Sequence, residues 1–199
     1  MGTPVDDTQR TRWDELCAIV KIVLGIGVIF DSNGVDIYFL NRKSYLKVKD
    51  PRQVDQAFAQ PPSGYTSIVP VLAHIFESPL AHRGRDKKLL VFVATDGEPT
   101  DEDGNPSILE LEQLMRLKRQ SDTTYVSFLV CNDDQNCVNY LNDWDRTMKN
   151  VDVTDDFHTE REKIRQYRGS NFSFSFGDYV VKALVGAIDA EIDALNEPN

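Results

Sequence analysis

Apolar residues along this chain follow two patterns that alternate, helical spacing and short continuous runs. The first helical stretch runs from Asp6 to Phe30, where Trp13, Leu16 and Val20 recur on one face and turn-forming residues at 6–8 supply a candidate start. The residues at 31–34, Asp-Ser-Asn-Gly, form a turn cluster that ends this helix. The pattern therefore predicts an amphipathic first helix followed by a sharp turn.

Three short runs have the composition of β-strands. The run Val35–Asn41 is β-branched and aromatic, and Tyr45–Val48 is a weaker run that suits a sheet edge. The run Leu89–Ala94 shows no alternation of polar and apolar residues, which is typical of a parallel strand covered by helices on both faces. We expect this last strand to be central in its sheet.

The remaining apolar pattern continues the alternation of helices and strands. It predicts a helix at 51–59, a helix at 68–76 capped by Thr66, a helix opened by Asn105 and Pro106, a strand at 125–130, a helix with Val138, Leu141, Trp144 and Met148, a short strand at 151–153, and a terminal helix with Val180, Leu184, Ile188 and Ile192 on one face. Because parallel strands need crossover connections and helices commonly supply them, we predict one α/β domain over 1–199. Its sheet is doubly wound and mostly parallel, with helices on its faces, and its ends at 1–8 and 196–199 are flexible.

Composition narrows the functional classes. The chain has 199 residues, 41% of them hydrophobic and 27% charged, which suits one soluble domain. Its net charge of −10, with no clustering of basic residues, argues against binding to nucleic acid or to an anionic membrane. The apolar stretch at 18–30 contains Lys21 and is shorter than the roughly 20 residues that cross a bilayer.

The location that we expect is the cytoplasm. The first ten residues lack the basic start and apolar run of a secretory signal. The three cysteines, Cys17, Cys131 and Cys137, are an odd number without metal-type spacing, which fits free thiols in a reducing compartment.

Candidate chemistry gathers in the loop that follows the run Leu89–Ala94. Residues 95–104 read Thr-Asp-Gly-Glu-Pro-Thr-Asp-Glu-Asp-Gly, and ligands of open α/β sheets bind beyond the carboxyl ends of the strands. Carboxylate and hydroxyl oxygens are the ligands of hard divalent cations. Composition alone also fits a solvated acidic loop, and a metal-assisted hydrolase using Asp96, Glu98, Asp101 and Asp103 is the enzymatic alternative.

Four segments resemble the von Willebrand factor A (vWA) domain family. A strand ends in Thr95-Asp96-Gly97, an earlier loop reads Ser63-Gly64-Tyr65-Thr66 before a helix, and VDIYFLN at 35–41 is similar to the second strand of that family. The segment Arg12–Leu16 is similar to its first helix. The resemblance implies a vWA/Rossmann-like fold and a protein–protein interaction module rather than an enzyme.

The resemblance also implies a metal-ion-dependent adhesion site for Mg²⁺ or Mn²⁺. Its Thr and Asp ligands would be Thr66 and Asp96, a partner protein would complete the site with an acidic side chain, and the surrounding partner-binding rim would include Tyr65, Glu98 and Asp101. The family's Asp-x-Ser-x-Ser motif is absent from this chain, and the similar Asp31-Ser32-Asn33 precedes its strand. We therefore expect a partial site that binds these ions weakly or undetectably.

The strand that carries the missing motif is absent too. In the family it is central, between the strands similar to 35–41 and 89–95, whereas residues 1–12 contain only Met1 and Val5 as sizeable apolar residues. Three explanations remain open: truncation of a longer protein, which we favour, direct pairing of the two flanking strands, or donation of the strand by another chain. Two exposed strand edges would also permit self-association.

Overall fold

Helices and strands alternate along the chain as the apolar pattern predicts. The computed structural model describes residue 2 and residues 11–82, 87–131 and 139–198. The helices are α1 Arg12–Phe30, α2 Pro51–Phe58, α3 Ile68–Glu77, α4 Ile108–Gln113 with a π-helical continuation at Leu114–Lys118, α5 Asn139–Thr147, α6 Phe157–Arg168, α7 Phe176–Val185, and α8 Ala190–Asp193 with a 3-10 turn at Ala194–Asn196. The strands are β1 Val35–Ile37, β2 Tyr45–Val48, β3 Leu89–Thr95, β4 Thr124–Val130 and β5 Val151–Thr154. Over these residues, none of the helices combines the length and apolarity needed to span a membrane.

Helix α1 starts at Arg12 behind a reciprocal cap. The Thr11 hydroxyl accepts a hydrogen bond from the Asp14 amide at 3.2 Å, and the Asp14 carboxylate accepts one from the Thr11 amide at 2.9 Å. The helix ends at the predicted turn, where Gly34 adopts φ +95°. A side chain at Gly34 would meet the Val48 carbonyl oxygen at 2.4 Å, so this turn lets β1 lie directly against β2. The start predicted at 6–8 falls outside the described residues.

The larger sheet has three parallel strands in the order β3-β4-β5. Strand β3 pairs with β4 from Leu89↔Thr124 to Thr95↔Val130, and β4 pairs with β5 from Val126 to Leu129. The prediction that Leu89–Ala94 is central is wrong, because β4 is the strand paired on both sides. No strand among the described residues covers the second edge of β3.

The smaller sheet contains β1 and β2 in antiparallel pairing, with Val35 opposite Val48. Strand β1 ends at Ile37 instead of Asn41, since Phe39 turns toward helices α1 and α2 and packs against Trp13 and Phe58, with ring centroids 6.2 and 5.7 Å away. The two flanking strands therefore do not pair directly among the described residues. Truncation, strand donation and self-association through the strand edges stay predictions.

Helices cover both faces of the β3-β4-β5 sheet, and α1 joins it to the smaller sheet. One face packs against α3, α4 and α5, through Leu72, Leu111 and Trp144 among others. On the other face Ile19 of α1 packs in one apolar cluster with residues of α6 and α7, whereas Leu16 of α1 belongs to a cluster with α2 and β2. The α/β class and the flanking helices are thus confirmed.

The C-terminal helix predicted through Ile192 is interrupted. Helix α7 ends at Val185, Ile188 is 57% exposed, and a separate short helix α8 begins behind Asp189. The Asp189 carboxylate accepts hydrogen bonds from the amides of Glu191 and Ile192 at 2.9 and 3.3 Å, which caps the new helix. The break carries α8 back toward β5.

Candidate functional site

Two loops that the sequence singles out lie side by side at the carboxyl end of β3. The loop at 63–67 leads into α3, and the loop at 96–107 leads from β3 into α4. The Thr66 amide donates to the Thr100 hydroxyl, and the Thr100 amide donates to the Thr66 carbonyl, both at 3.0 Å. The Ser67 hydroxyl donates to the Asp101 carbonyl at 3.1 Å. These bonds fix the two loops to one another, and we call them the paired loops.

Thr66 is not the cap residue of α3. The helix starts at Ile68, its cap position is Ser67, and neither side chain bonds the free amides of the first turn. The prediction of Thr66 as cap is therefore wrong. Because the Ile68 amide bonds the Thr66 carbonyl at 2.9 Å and the Thr66 amide bonds Thr100, the backbone of Thr66 is committed to joining the loops.

Helix α4 also begins later than predicted. Its cap position is Ser107, whose amide donates to the Pro99 carbonyl at 2.9 Å. Pro106 lies opposite Thr100 in an isolated antiparallel bridge. Asn105 and Pro106, which were expected to open the helix, therefore lie in the loop before it and close the second half of that loop.

The Asp101 carboxylate organises the acidic loop from within. One oxygen accepts from the amides of Asp103 and Asn105 at 2.9 and 2.8 Å, and the other accepts from the Asn105 side-chain amide at 2.9 Å. These hydrogen bonds, led by the Asn105 side chain, lower the pKa of Asp101 below its usual value. The predicted rim residue is thus an ionised turn former whose own oxygens are occupied by its loop.

Tyr65 is held in an exposed position. Its side chain is 56% exposed, and its ring lies beside Gly104, where a Cβ atom would come within 2.7 Å of a ring carbon. The Asn41 side-chain amide donates to the carbonyls of Ser63 and Tyr65, each at 2.8 Å. Asn41 was not singled out as a site residue. The available signal was the polar side chain of Asn41 at the end of an apolar run.

The carboxylates of the acidic loop face different neighbours. Asp96 is half-buried directly after β3. Burial, and after it the charges of Glu15 and Asp96, raise the pKa of the Cys131 thiol to about 12. Glu98 is exposed. Burial of Tyr140 raises the pKa of its hydroxyl, and the charge of Glu98 raises it further. Asp101 bonds within its own loop. These residues do not form the converging oxygen cage that a tightly held divalent cation requires.

Within the described part of the chain, one set of three acidic side chains lies close enough to share an ion, and it is elsewhere. One oxygen each of Asp145, Asp152 and Asp193 lies within 4.8 Å of the others. They come from α5, β5 and α8, so their distances along the chain gave no signal of this proximity. Sequence reasoning missed this group, which we call the carboxyl cluster.

The Mg²⁺ or Mn²⁺ site predicted at Thr66 and Asp96 stays a prediction. Thr66 can offer a half-buried hydroxyl and Asp96 a half-buried carboxylate, and among the described residues no group of three close His, Cys, Asp or Glu ligand atoms includes Asp96. The residues present therefore do not fit a complete protein-built cation site.

The free cysteines described by the structure are Cys17 and Cys131, both half-buried. Burial raises the pKa of each thiol, so neither is a ready nucleophile at neutral pH. Cys137 lies outside the described residues.

Comparison with protein-family models, with curated proteins and with solved structures finds no match for this chain. The resemblance to the vWA family therefore depends on the quoted motifs and the order of elements.

Proposed function

We propose that this chain is a protein-interaction module that binds a protein partner through the paired loops at the carboxyl end of β3. The observation that carries the proposal is the reciprocal bonding of Thr66 and Thr100, which joins two otherwise separate loops into one surface. A surface fixed before binding loses little conformational freedom when a partner docks. Such a surface suits recognition of a folded partner.

Charge and shape indicate the chemistry of that partner. Residues 96–103 include five carboxylates, and the segment 89–115 contains neither Lys nor Arg. Tyr65, exposed and fixed by Asn41, supplies an aromatic anchor of the kind that contributes strongly to interfaces. The complementary partner presents a basic segment around an apolar pocket. We prefer this direct contact to a metal-bridged acidic side chain, because the loop carboxylates do not converge.

The first test places a photo-cross-linking phenylalanine analogue at position 65. The matched control places it at Leu117, which is 76% exposed in the π-helical turn at the far end of the same helix that leaves the acidic loop. We expect cross-linking of a partner from position 65 and not from position 117. Equal cross-linking from both positions would show that the paired loops are not a specific surface.

The second test measures affinity with the purified cross-linked partner. Glu102→Lys reverses an exposed charge of the acidic loop, and Glu77→Lys reverses an exposed charge at the other end of α3. We expect Glu102→Lys to weaken binding at least about tenfold, the effect to shrink as salt is added, and Glu77→Lys to leave affinity unchanged. Identical affinities for the two variants would contradict the proposed surface.

A further inference from the structure

The carboxyl cluster lies at the junction of four elements around a fully buried strand residue. Asp152 of β5 has a side chain that is 0% exposed, Asp145 approaches it from α5, and Asp193 approaches it from α8. The Thr154 hydroxyl donates to one oxygen of Asp152 at 2.9 Å, and among the described residues no N–H group or hydroxyl donates to its other oxygen. Gly186 of α7 allows the close packing, since a Cβ atom there would lie 2.5 Å from that second oxygen.

The charges that face this junction do not balance. Lys182 of α7 is buried, with its ammonium nitrogen 3.7 Å from the Asp152 carboxylate and 3.3 Å from that of Glu160 on α6. Asp155, near Glu160, is already paired with Lys163. Glu197 adds a further negative charge near Asp145. One buried ammonium thus faces four acidic groups of α5, β5, α6 and α8.

Two routes could neutralise the excess, a bound cation or bound protons. The Lys182 ammonium already lies beside Asp152 and would repel a second cation at the same carboxylate. The ammonium also lowers the pKa of Asp145 and of Asp193, but burial and the neighbouring carboxylates outweigh it at both groups. Burial and the Asp152 charge raise the pKa of Asp145 to about 7. Burial together with a hydrogen bond to Asp152 raises the pKa of Asp193 to about 8, so the protonated Asp193 is the donor in that bond.

The segment that follows is attached to the body of the protein by a few further contacts. The Arg168 guanidinium donates to the carbonyl of Leu195 at 3.2 Å and to that of Ala194. The Leu195 side chain packs against the apolar cluster of α1, α6 and α7. The hydrogen bond between Asp193 and Asp152 also links α8 to the sheet.

We propose that a proton shared between Asp193 and Asp152 holds α8 and the following 3-10 turn against β5, and that loss of this proton at rising pH releases the C-terminal segment. The direction of this pH dependence follows from the different proton affinities of Asp193 in the attached and released states. The attached state keeps a proton that the released segment, with an ordinary Asp, loses above about pH 4. Release therefore becomes easier by about tenfold for each pH unit from about pH 4 until Asp193 itself ionises in the attached state.

The test is hydrogen exchange of the amides at 189–197 at pH 5.5, 7.0 and 8.5 in EDTA, corrected for the intrinsic pH dependence of exchange. In the unchanged protein we expect the opening constant of this segment to rise about 30-fold from pH 5.5 to 7.0, and further by pH 8.5. Asp193→Asn, whose amide can donate to Asp152 at every pH, should remove most of the pH dependence of the opening constant and leave only the smaller contribution of Asp145, whose pKa Glu197 helps to raise. Glu191→Gln, an exposed carboxylate on the same helix, is the matched control and should behave as the unchanged protein.

Carboxyl-carbon NMR of the unchanged protein gives a measurement that needs no variant. We expect at least one Asp carboxyl to titrate above pH 6. Titration of every Asp carboxyl below pH 5, or an opening constant that does not vary between pH 5.5 and 8.5, would overturn the proposal. Restoration of protection at pH 8.5 by CaCl₂ would overturn it in favour of a cation site.

Discussion

Replacing Lys182 with Met should be one of the most destabilising single changes in this protein. The side chain is 1% exposed, and its ammonium lies between the carboxylates of Glu160 and Asp152. Breaking a buried ion pair from one side typically costs about 3–5 kcal/mol, because the remaining charge is left buried without compensation. Folded domains of this kind have about 5–15 kcal/mol of stability in all, so the loss is a large share of the total.

The assay is urea unfolding followed by circular dichroism at pH 8. If the urea dependence is about 2 kcal/mol per molar, a loss of about 4 kcal/mol lowers the midpoint by about 2 M. The matched control is Lys163→Met, which removes a partly exposed pair with Asp155 and should cost only about 0–1 kcal/mol. The cost of Lys182→Met should shrink as the pH is lowered, because burial raises the pKa of Glu160 and a protonated Glu160 no longer needs the ammonium.

A double variant separates lost charge compensation from lost packing. Glu160→Gln removes one of the two charges that Lys182→Met leaves behind, so the double variant should recover about 1–3 kcal/mol relative to Lys182→Met alone. The reasoning is refuted if Lys182→Met and Lys163→Met unfold at the same urea concentration. It also fails if the double variant is less stable than the single one.

Two further predictions concern the candidate metal site and the packing around Asp152. Titration calorimetry with MgCl₂ and MnCl₂ should give weak or undetectable heats for the unchanged protein, and the same for Asp96→Ala; a micromolar affinity that Asp96→Ala abolishes would establish a metal site at Asp96 after all. Gly186→Ala should destabilise by about 1–3 kcal/mol in thermal or urea unfolding, because its Cβ would lie 2.5 Å from a buried Asp152 oxygen. Gly25→Ala, where nothing lies within 4 Å in the middle of α1, should instead stabilise by about 0.5–1 kcal/mol; equal effects at the two positions would contradict the packing argument.

In the part of the chain that the structure describes, the second edge of β3 has no strand partner, which is the most unusual property of the fold. Strand β4 is paired on both sides and all but Tyr125 of its residues are buried, whereas Leu90, Phe92 and Ala94 of β3 stay half-buried. Parallel sheets are usually covered on both faces and paired across their interior. Among the described residues the strands form two separate sheets joined through α1, and the missing vWA-like strand stays a prediction.

Local pattern was a good guide to the elements and a poor guide to their ends. The capped start of α2 follows from Asp50, whose side chain bonds an amide of the first turn, whereas helix α6, capped by Asp156, was not predicted. The end of β1 and the break after α7 did not follow, because tertiary contacts decided them. Phe39 turns away to pack with rings of α1 and α2, and Asp189 starts a new helix.

The sequence by itself determined the α/β class and the acidic loop after β3, because each depends on neighbouring residues or on composition. The tertiary structure alone decided that β4 is the central strand, that Asp101 bonds its own loop, and that Asp145, Asp152 and Asp193 meet. Strand order and side-chain convergence depend on contacts between residues far apart in the chain, to which hydrophobic periodicity gives no access. The acidic residues counted in the composition therefore include an exposed group in the loop after β3 and a group in the carboxyl cluster. Only the folded structure distinguishes the two groups.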